Sequence, residues 1–266
     1  MHFLDEGQGT PLVMVHGNPT WSFYWRHLVS AFRDEYRVIV PDHIGCGLSD
    51  KPRDYPYTLS QHIANLVELW DHLEIESATV LVHDWGGPIG IGAAIQRPER
   101  VSRLVIFNTA LFPPPYVPLR IKLCRTPILG RLAIRGLNLF ARAAIHMAPA
   151  RHHRLDDVTR AGLLAPYDSW HNRVGIDGFV GDIPLTASHP SWKVLADIES
   201  NLSQLQQPTQ IIWGMQDWCF REPCLLRISQ HFPHASIERY ADAGHYVIED
   251  KQEQIEQCLI RFFKST

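Results

Sequence analysis

An α/β fold is predicted: a mostly parallel sheet flanked on both faces by helices, with a helical module inserted late in the chain. Three observations predict it. Short β-branched, apolar runs alternate with longer segments of helical pattern. Several of those runs end abruptly in polar residues or glycine, and the alternation breaks once, between Phe107 and Gln210. A chain of 266 residues built this way is one domain with a generous core.

The elements follow in order. Strands are expected at residues 12–15, 38–40, 79–82, 104–107, 210–213 and 236–240, each a run of the kind a buried parallel sheet requires. Helices are expected between them at 21–33, 59–73, 87–97, 221–231 and 250–264. The interval that breaks the pattern opens with Pro113-Pro114-Pro115, holds several helical patterns and has no convincing strand. It is assigned as a cap over residues 113–204, with residues 1–112 and 205–266 forming the core. In an open α/β sheet, ligands bind at the carboxyl ends of the strands, so an insertion there acts as a lid. Within it, residues 128–147 are expected to form an amphipathic helix. Arg131, Arg135 and Arg142 fall on one side, and Leu129, Ala133, Gly136, Phe140, Ala144 and Met147 on the other.

Composition narrows the function classes. A formal charge of −3 and a pI near 6.6 argue against a dedicated nucleic-acid binder. Five scattered cysteines, odd in number and without a C-x-x-C pair, point to reduced thiols and a cytoplasmic protein. The chain opens directly on Met1-His2-Phe3-Leu4 with no leader pattern, and no apolar run is long enough to span a bilayer. Charge is uneven, however. Residues 113–155 hold eight Lys or Arg and no Asp or Glu, while the remainder carries 17 basic against 28 acidic residues. The basic face of the cap is expected to be a solvated outer surface, with a membrane interface or an acidic partner as the other use of such a face.

The chemistry-bearing residues cluster just past the strands. Leu81-Val82-His83-Asp84-Trp85-Gly86-Gly87 places a polar residue on a sharp strand-to-helix turn, which pushes one side chain into a cleft beside the first N–H groups of a helix. Asp84 occupies the position where a hydrolase elbow normally carries serine, and Val82 replaces the usual glycine two residues earlier. Taken alone, Asp84 is equally a helix-capping aspartate. Three further strand ends change that balance: His16-Gly17-Asn18-Pro19, Gly214-Met215-Gln216-Asp217 and Asp242-Ala243-Gly244-His245. The chain order is nucleophile, acid, base, each just past a strand, which is the arrangement of the α/β-hydrolase fold.

Together H-G-N-P-T-W-S-F-Y-W-R, P-D-H-I-G-C-G-L-S-D-K-P, V-H-D-W-G-G and A-D-A-G-H-Y resemble the haloalkane dehalogenase family, and most closely its branch that includes bacterial β-lactone decarboxylases of olefin biosynthesis. The resemblance runs from about Met1 to Phe263 and is weakest in the cap. It implies Asp84 as nucleophile, His245 as base, Asp217 as the acid that orients His245, and Asn18 with Trp85 as the oxyanion and leaving-group site. Some members carry the acid after the strand that follows the elbow strand; here that strand ends Asn108-Thr109-Ala110 without a carboxylate. The late acid combined with an Asn-plus-Trp pair is what points to the decarboxylase-containing branch.

Elementary chemistry fits these roles. A carboxylate of solution pKa about 3.9 is ionised at neutral pH and attacks carbon without losing a proton. A halide then departs toward donors, which the amide of Asn18 and the indole of Trp85 supply. The ester left on Asp84 is hydrolysed by water that His245 deprotonates, with the backbone N–H groups of Asn18 and Trp85 binding the oxyanion at about 3 kcal/mol per donor. The expected function is therefore a haloalkane dehalogenase-like hydrolase that releases halide and alcohol from a hydrophobic haloalkane; the alternative is a β-lactone decarboxylase, in which the same nucleophile acts on a strained β-lactone to release carbon dioxide and an alkene. An epoxide hydrolase would use lid acids such as Tyr116 and Tyr167, although Asn18 stands where that family usually has an aromatic residue. A binding protein that has lost catalysis is the remaining alternative.

No cofactor is expected, since neither a phosphate loop nor a dinucleotide fingerprint occurs in a usable context. No metal is expected either, because the spacing of His152-His153 and Asp156-Asp157 fits no site. The loop from Pro41 to Pro52 is expected to shape the cleft wall, Cys46 to fill space, and Trp170 and Trp192 to pack in the core. The partner is a small hydrophobic molecule. Relatives usually have a further strand and several tens of residues before the segment Met1 to Glu6, so a bare sheet edge and a homo-oligomer that covers it are expected.

Overall fold

The computed structural model describes residues 1–264. Its strands are β1 (Phe3–Glu6), β2 (Pro11–Val15), β3 (Arg37–Pro41), β4 (Ala78–Val82), β5 (Val101–Ile106), β6 (Thr209–Gly214) and β7 (Ser236–Tyr240). They form one sheet in the order β1-β3-β2-β4-β5-β6-β7. Only β1 runs antiparallel, pairing with β3. This short edge strand was absent from the sequence expectations because Phe3-Leu4-Asp5-Glu6 carries too little apolar pattern to register. In the parallel part Val15 lies opposite Val82, Val82 opposite Ile106, and Ile106 opposite Ile211. That register brings the carboxyl ends of β2, β4, β5 and β6 to one rim, and the residues that follow them must meet there.

The central strands are buried on both faces, which explains their unbroken apolar composition. Alternation divides them between two cores. Val13, Val80 and Val82 pack with Ile63, Trp70 and Ile198 on one face, and Leu12, Met14 and Leu81 with Trp25, Phe107 and Leu259 on the other. Each such side chain contributes about 1.5–3 kcal/mol when removed from water.

A 3₁₀ turn (Ser22–Trp25) leads into α1 (Arg26–Phe32), so the expected single helix over 21–33 begins in a tighter form. Helix α2 (Leu59–His72) starts at Thr58, whose hydroxyl accepts the Gln61 N–H, and α3 (Gly86–Gln96) follows β4 directly. The insertion contains α4 (Leu119–Cys124), α5 (Leu129–Arg131), a π turn (Leu132–Gly136), α6 (Leu139–Met147), α7 (Asp157–Leu164), α8 (Val174–Asp182) and α9 (Pro190–Asn201). After β6 come α10 (Glu222–Ser229), α11 (Val247–Asp250) and α12 (Gln252–Lys264); the helix expected over 250–264 is interrupted at Lys251, whose backbone is non-helical.

Two expectations for the cap need correction. Residues 128–147 are not one amphipathic helix, because Asn138 takes a left-handed conformation with φ 55° and ends the π turn. The faces also differ from those expected: Arg135 is buried, with its Nε donating to the Trp170 carbonyl, while Leu129 and Gly136 are exposed. Trp170 does not pack in the core. It is exposed and carries the Arg135 guanidinium over its ring at 4.8 Å.

The insertion is fastened to the sheet layer at several points. Helix α9 packs on α2 and α3, and Leu195 and Ile198 join their core. Gly45, at φ +93°, lies so close to α8 that a Cβ on Gly175 would sit 2.3 Å from the Gly45 carbonyl oxygen. The Asp182 carboxylate ends α8, accepts the Leu59 N–H at the start of α2 at 2.7 Å, and accepts the Ser191 hydroxyl at 2.7 Å. Removing a buried acceptor with two donors strands both, at about 1–3 kcal/mol. Asp182→Ala is therefore expected to lower unfolding free energy in urea by that amount, with a larger loss of protease resistance in the cap than in the sheet.

Candidate active site

Asp84 sits at the end of β4 with φ 52°, a left-handed conformation that a non-glycine residue adopts only when its surroundings enforce it. They do so with backbone hydrogen bonds. The Asp84 N–H donates to the Asn108 carbonyl at 2.9 Å, its own carbonyl accepts from Gly87 N–H at 2.9 Å and from the Thr109 hydroxyl at 2.6 Å, and Gly86 N–H bonds back to His83. The capping interpretation fails here, because α3 has no side-chain cap. Instead the Asp84 Oδ1 accepts the backbone N–H of Asn18 at 2.6 Å, and the Trp85 N–H faces the carboxylate closely enough to lower its pKa. Gly17 is what allows this approach, since a Cβ there would lie 2.2 Å from Asp84 Oδ1.

The other strand ends close around this carboxylate. His245 Nε2 lies 3.7 Å from Asp84 Oδ2, and its Nδ1 is 2.8 Å from Asp217 Oδ2. Asp217 is itself held by four donors: the amides of Cys219 and Phe220 on Oδ1, and Asn108 Nδ2 with the His245 ring on Oδ2. Asn108 is locked in turn, its Oδ1 accepting Gly214 N–H and its Nδ2 reaching the Gly214 carbonyl. The residue that stands where other members of the resembling family carry an acid thus anchors the late acid. Sequence reasoning registered only its missing charge. Its place at the end of β5, beside β6, was the signal available.

Burial raises the Asp84 pKa above the usual carboxylate range, opposed by the His245 charge and by the amides of Asn18 and Trp85. For His245, burial pulls the imidazole pKa down, but the charge and hydrogen bond of Asp217, with Asp84 beyond, outweigh it and hold the group above 6.5. The neighbouring histidines serve the backbone. Burial pushes His16 down to about 4, and it remains neutral while bonding Gly17 and His43. His83, also depressed by burial, bonds the His245 carbonyl at 2.9 Å.

Asp84 and His245 open on a cavity of about 250 Å³ whose wall is mainly apolar, with Phe112, Val117, Ile121, Phe140, Leu195 and Phe220 contributing. Asn18 and Trp85 line it, and Asn18 Oδ1 has no hydrogen-bond partner. Tyr116 also lines it, whereas the Tyr167 hydroxyl is committed to the Thr20 carbonyl at 3.1 Å and lies outside the cavity wall. Among the described residues no group of three or more His, Cys, Asp or Glu side chains is arranged to hold a metal. His153 is bonded to Asp250 instead.

With this geometry in place, comparison with known proteins is informative. The family model described as the alpha/beta hydrolase fold matches residues 10–252. The chain belongs to the α/β-hydrolase family. This hydrolase is 44% identical to a cis-3-alkyl-4-alkyloxetan-2-one decarboxylase of Shewanella oneidensis, over 100% of the chain and 86% of that protein. It is 32% identical to haloalkane dehalogenase 2 of Mycobacterium bovis, over 99% of the chain and 91% of that protein. Its fold is that of a haloalkane dehalogenase of Agrobacterium tumefaciens C58, with a TM-score of 0.89 and 23% identity, covering 100% of the hydrolase and 93% of that chain. The fold class and the family resemblance expected from the sequence are borne out.

The Asn108 anchor yields a prediction. A buried hydrogen bond of this kind is worth about 1–3 kcal/mol, so Asn108→Ala is expected to reduce turnover by about 5- to 150-fold. With Asp217 less well placed, the His245 imidazole loses part of what raises it. Its NMR titration is expected to move to lower pH.

Proposed function

We propose that this hydrolase uses Asp84 as a nucleophile on an sp³ carbon, and that its substrate is a β-lactone bearing two alkyl chains, converted to an alkene and carbon dioxide. The observation that carries the first part is the buried Asp84 carboxylate, held by backbone N–H groups at the floor of an apolar cavity. The end-to-end similarity to a cis-3-alkyl-4-alkyloxetan-2-one decarboxylase supports the substrate. The free state of all five cysteines suits a cytoplasmic enzyme.

The steps balance without water. An Asp84 oxygen attacks the alkyl-bearing ring carbon, breaking its bond to the ring oxygen, relieving ring strain and freeing the lactone carboxylate. An alkyl ester of Asp84 remains. The bond to that carboxylate then breaks, its electron pair forms the C=C bond, carbon dioxide leaves, and the C–O bond to Asp84 breaks to regenerate the carboxylate. His245 supplies positive charge next to Asp84 during these changes, and Asp217 orients it. The N–H groups of Asn18 and Trp85 hold Asp84 in position for attack.

Halide displacement is the second reading, favoured by the Asn18 and Trp85 side chains in the cavity wall and by the similarity to a haloalkane dehalogenase. There the ester of Asp84 is hydrolysed by water, which His245 deprotonates across the 3.7 Å gap. The commitment of Tyr167 elsewhere weighs against epoxide opening, which would call on a lid acid.

Asp84→Asn is expected to abolish turnover of both a cis-disubstituted β-lactone, followed as alkene by gas chromatography, and a bromoalkane, followed as halide. An active Asp84→Asn enzyme would overturn the nucleophile assignment. His245→Gln separates the readings: intact-protein mass spectrometry should reveal a trapped alkyl ester after reaction with a bromoalkane, since hydrolysis needs the base.

The pH profiles carry the same logic. Asp84 must be ionised to attack, and its pKa is raised, so activity is expected to fall with decreasing pH through a group above about 3.9. A hydrolytic second step additionally requires neutral His245, so halide turnover should already decline as pH drops through a value above 6.5. Lactone turnover should lack that upper limb.

A further inference from the structure

The outer surface of the cap combines two properties that rarely coincide on a solvated face. Among the described residues thirteen large hydrophobic side chains are exposed, and eight of them lie within residues 116–139. Ile128 and Leu129 are each 73% exposed and Leu119 is 67% exposed. Scattered exposed leucines need no explanation, but this concentration on α4, α5 and the π turn, which pack on one another, makes a patch. The same segment exposes Arg120, Lys122 and Arg131 and holds no acidic residue, while Arg125 is half-buried and Arg135 buried. Beside it a second cavity, of about 780 Å³, sets Arg53, Arg125, Arg131 and Arg135 against the single carboxylate of Asp177.

The inner side of α4 and of the segment leading into it is part of the wall of the Asp84 cavity. Val117, Ile121 and Phe140 line that cavity, as do Pro115 and Tyr116, which are also exposed. The cavity therefore reaches the surface at the edge of the apolar and basic patch.

We propose that this face of the cap docks on an anionic phospholipid surface, its leucine and isoleucine side chains entering the headgroup boundary and its arginines and lysine pairing with lipid phosphates, so that the Asp84 cavity opens toward the lipid. Charge complementarity selects this occupant. A second copy docked through the same patch would bring like charges together. Interleaved aliphatic and cationic side chains match an interface that is apolar below and anionic above. Delivery of a dialkyl substrate from the lipid phase rests on the function proposed above. Docking itself does not, and it is read without any turnover.

The test is flotation of the purified protein with phosphatidylcholine vesicles, with and without phosphatidylglycerol. The protein is expected to float with the anionic vesicles and to be released in part by high salt. Ile128→Asp/Leu129→Asp and, separately, Arg120→Glu/Arg131→Glu are expected to weaken flotation about tenfold or more while keeping the parent melting temperature. Failure of the parent protein to float with anionic vesicles overturns the proposal. So does equal binding to neutral vesicles, or flotation that survives in both variants. A stable dimer in sedimentation equilibrium that Ile128→Asp/Leu129→Asp dissolves would assign the patch to self-association instead, and an acidic protein that competes with vesicles only through the arginines would leave the leucines unexplained and likewise overturn it.

Discussion

The structure turns on a buried carboxylate at a point where the backbone is forced into the left-handed region. Asp84 at φ 52° is costly on its own, because Cβ approaches the following carbonyl. The cost is offset by a dense set of hydrogen bonds from β2, β5 and α3, which hold both the backbone and the Oδ1 atom of Asp84. The parallel register at the ends of β2, β4 and β5 makes those partners available, and Gly17 leaves room for them. Stability in the sheet is in this sense committed to one strained, desolvated carboxylate.

Electrostatics follows from the same placement. Burial raises the proton affinity of the Asp84 carboxylate, and what faces it, the His245 imidazole and two backbone N–H groups, opposes that rise. His245 in turn owes its raised proton affinity to Asp217, and Asp217 owes its orientation to Asn108 and two loop amides. The chain of dependence crosses four strands. Each link is short, which is why a neutral residue such as Asn108 matters as much to geometry as a charged one.

The cap obeys different constraints. It is tied down by a few strong contacts, Asp182 to the start of α2 and Gly175 against Gly45, and elsewhere it is free to expose what the core would bury. Its inner side chains define an apolar chamber, while its outer side chains are both basic and greasy. One thin layer of helices thus presents an apolar inner face and an outer face that mixes aliphatic with cationic side chains.

Much of this was legible before any coordinates. Six of the seven strands follow from local pattern, β-branched runs that terminate in polar turns, and the residues that the family resemblance singles out, Asp84, Asp217, His245, Asn18 and Trp85, stand just past the ends of those strands. Local pattern is enough there because parallel strands buried on both faces and sharp turns restrict which residues can stand in them. It was not enough for β1, whose four residues owe their conformation to pairing with β3, or for residues 128–147, where one left-handed Asn138 and the burial of Arg135 against Trp170 override the helical period. Nor could it reveal that Asn108 anchors the acid, that Tyr167 is occupied by Thr20, or that leucines of the cap face outward. The sequence by itself determined which groups stand at the strand ends. Only tertiary structure decided distances, proton affinities and what each cap side chain touches, because those arise from contacts between segments far apart in the chain, where no local periodicity carries the information.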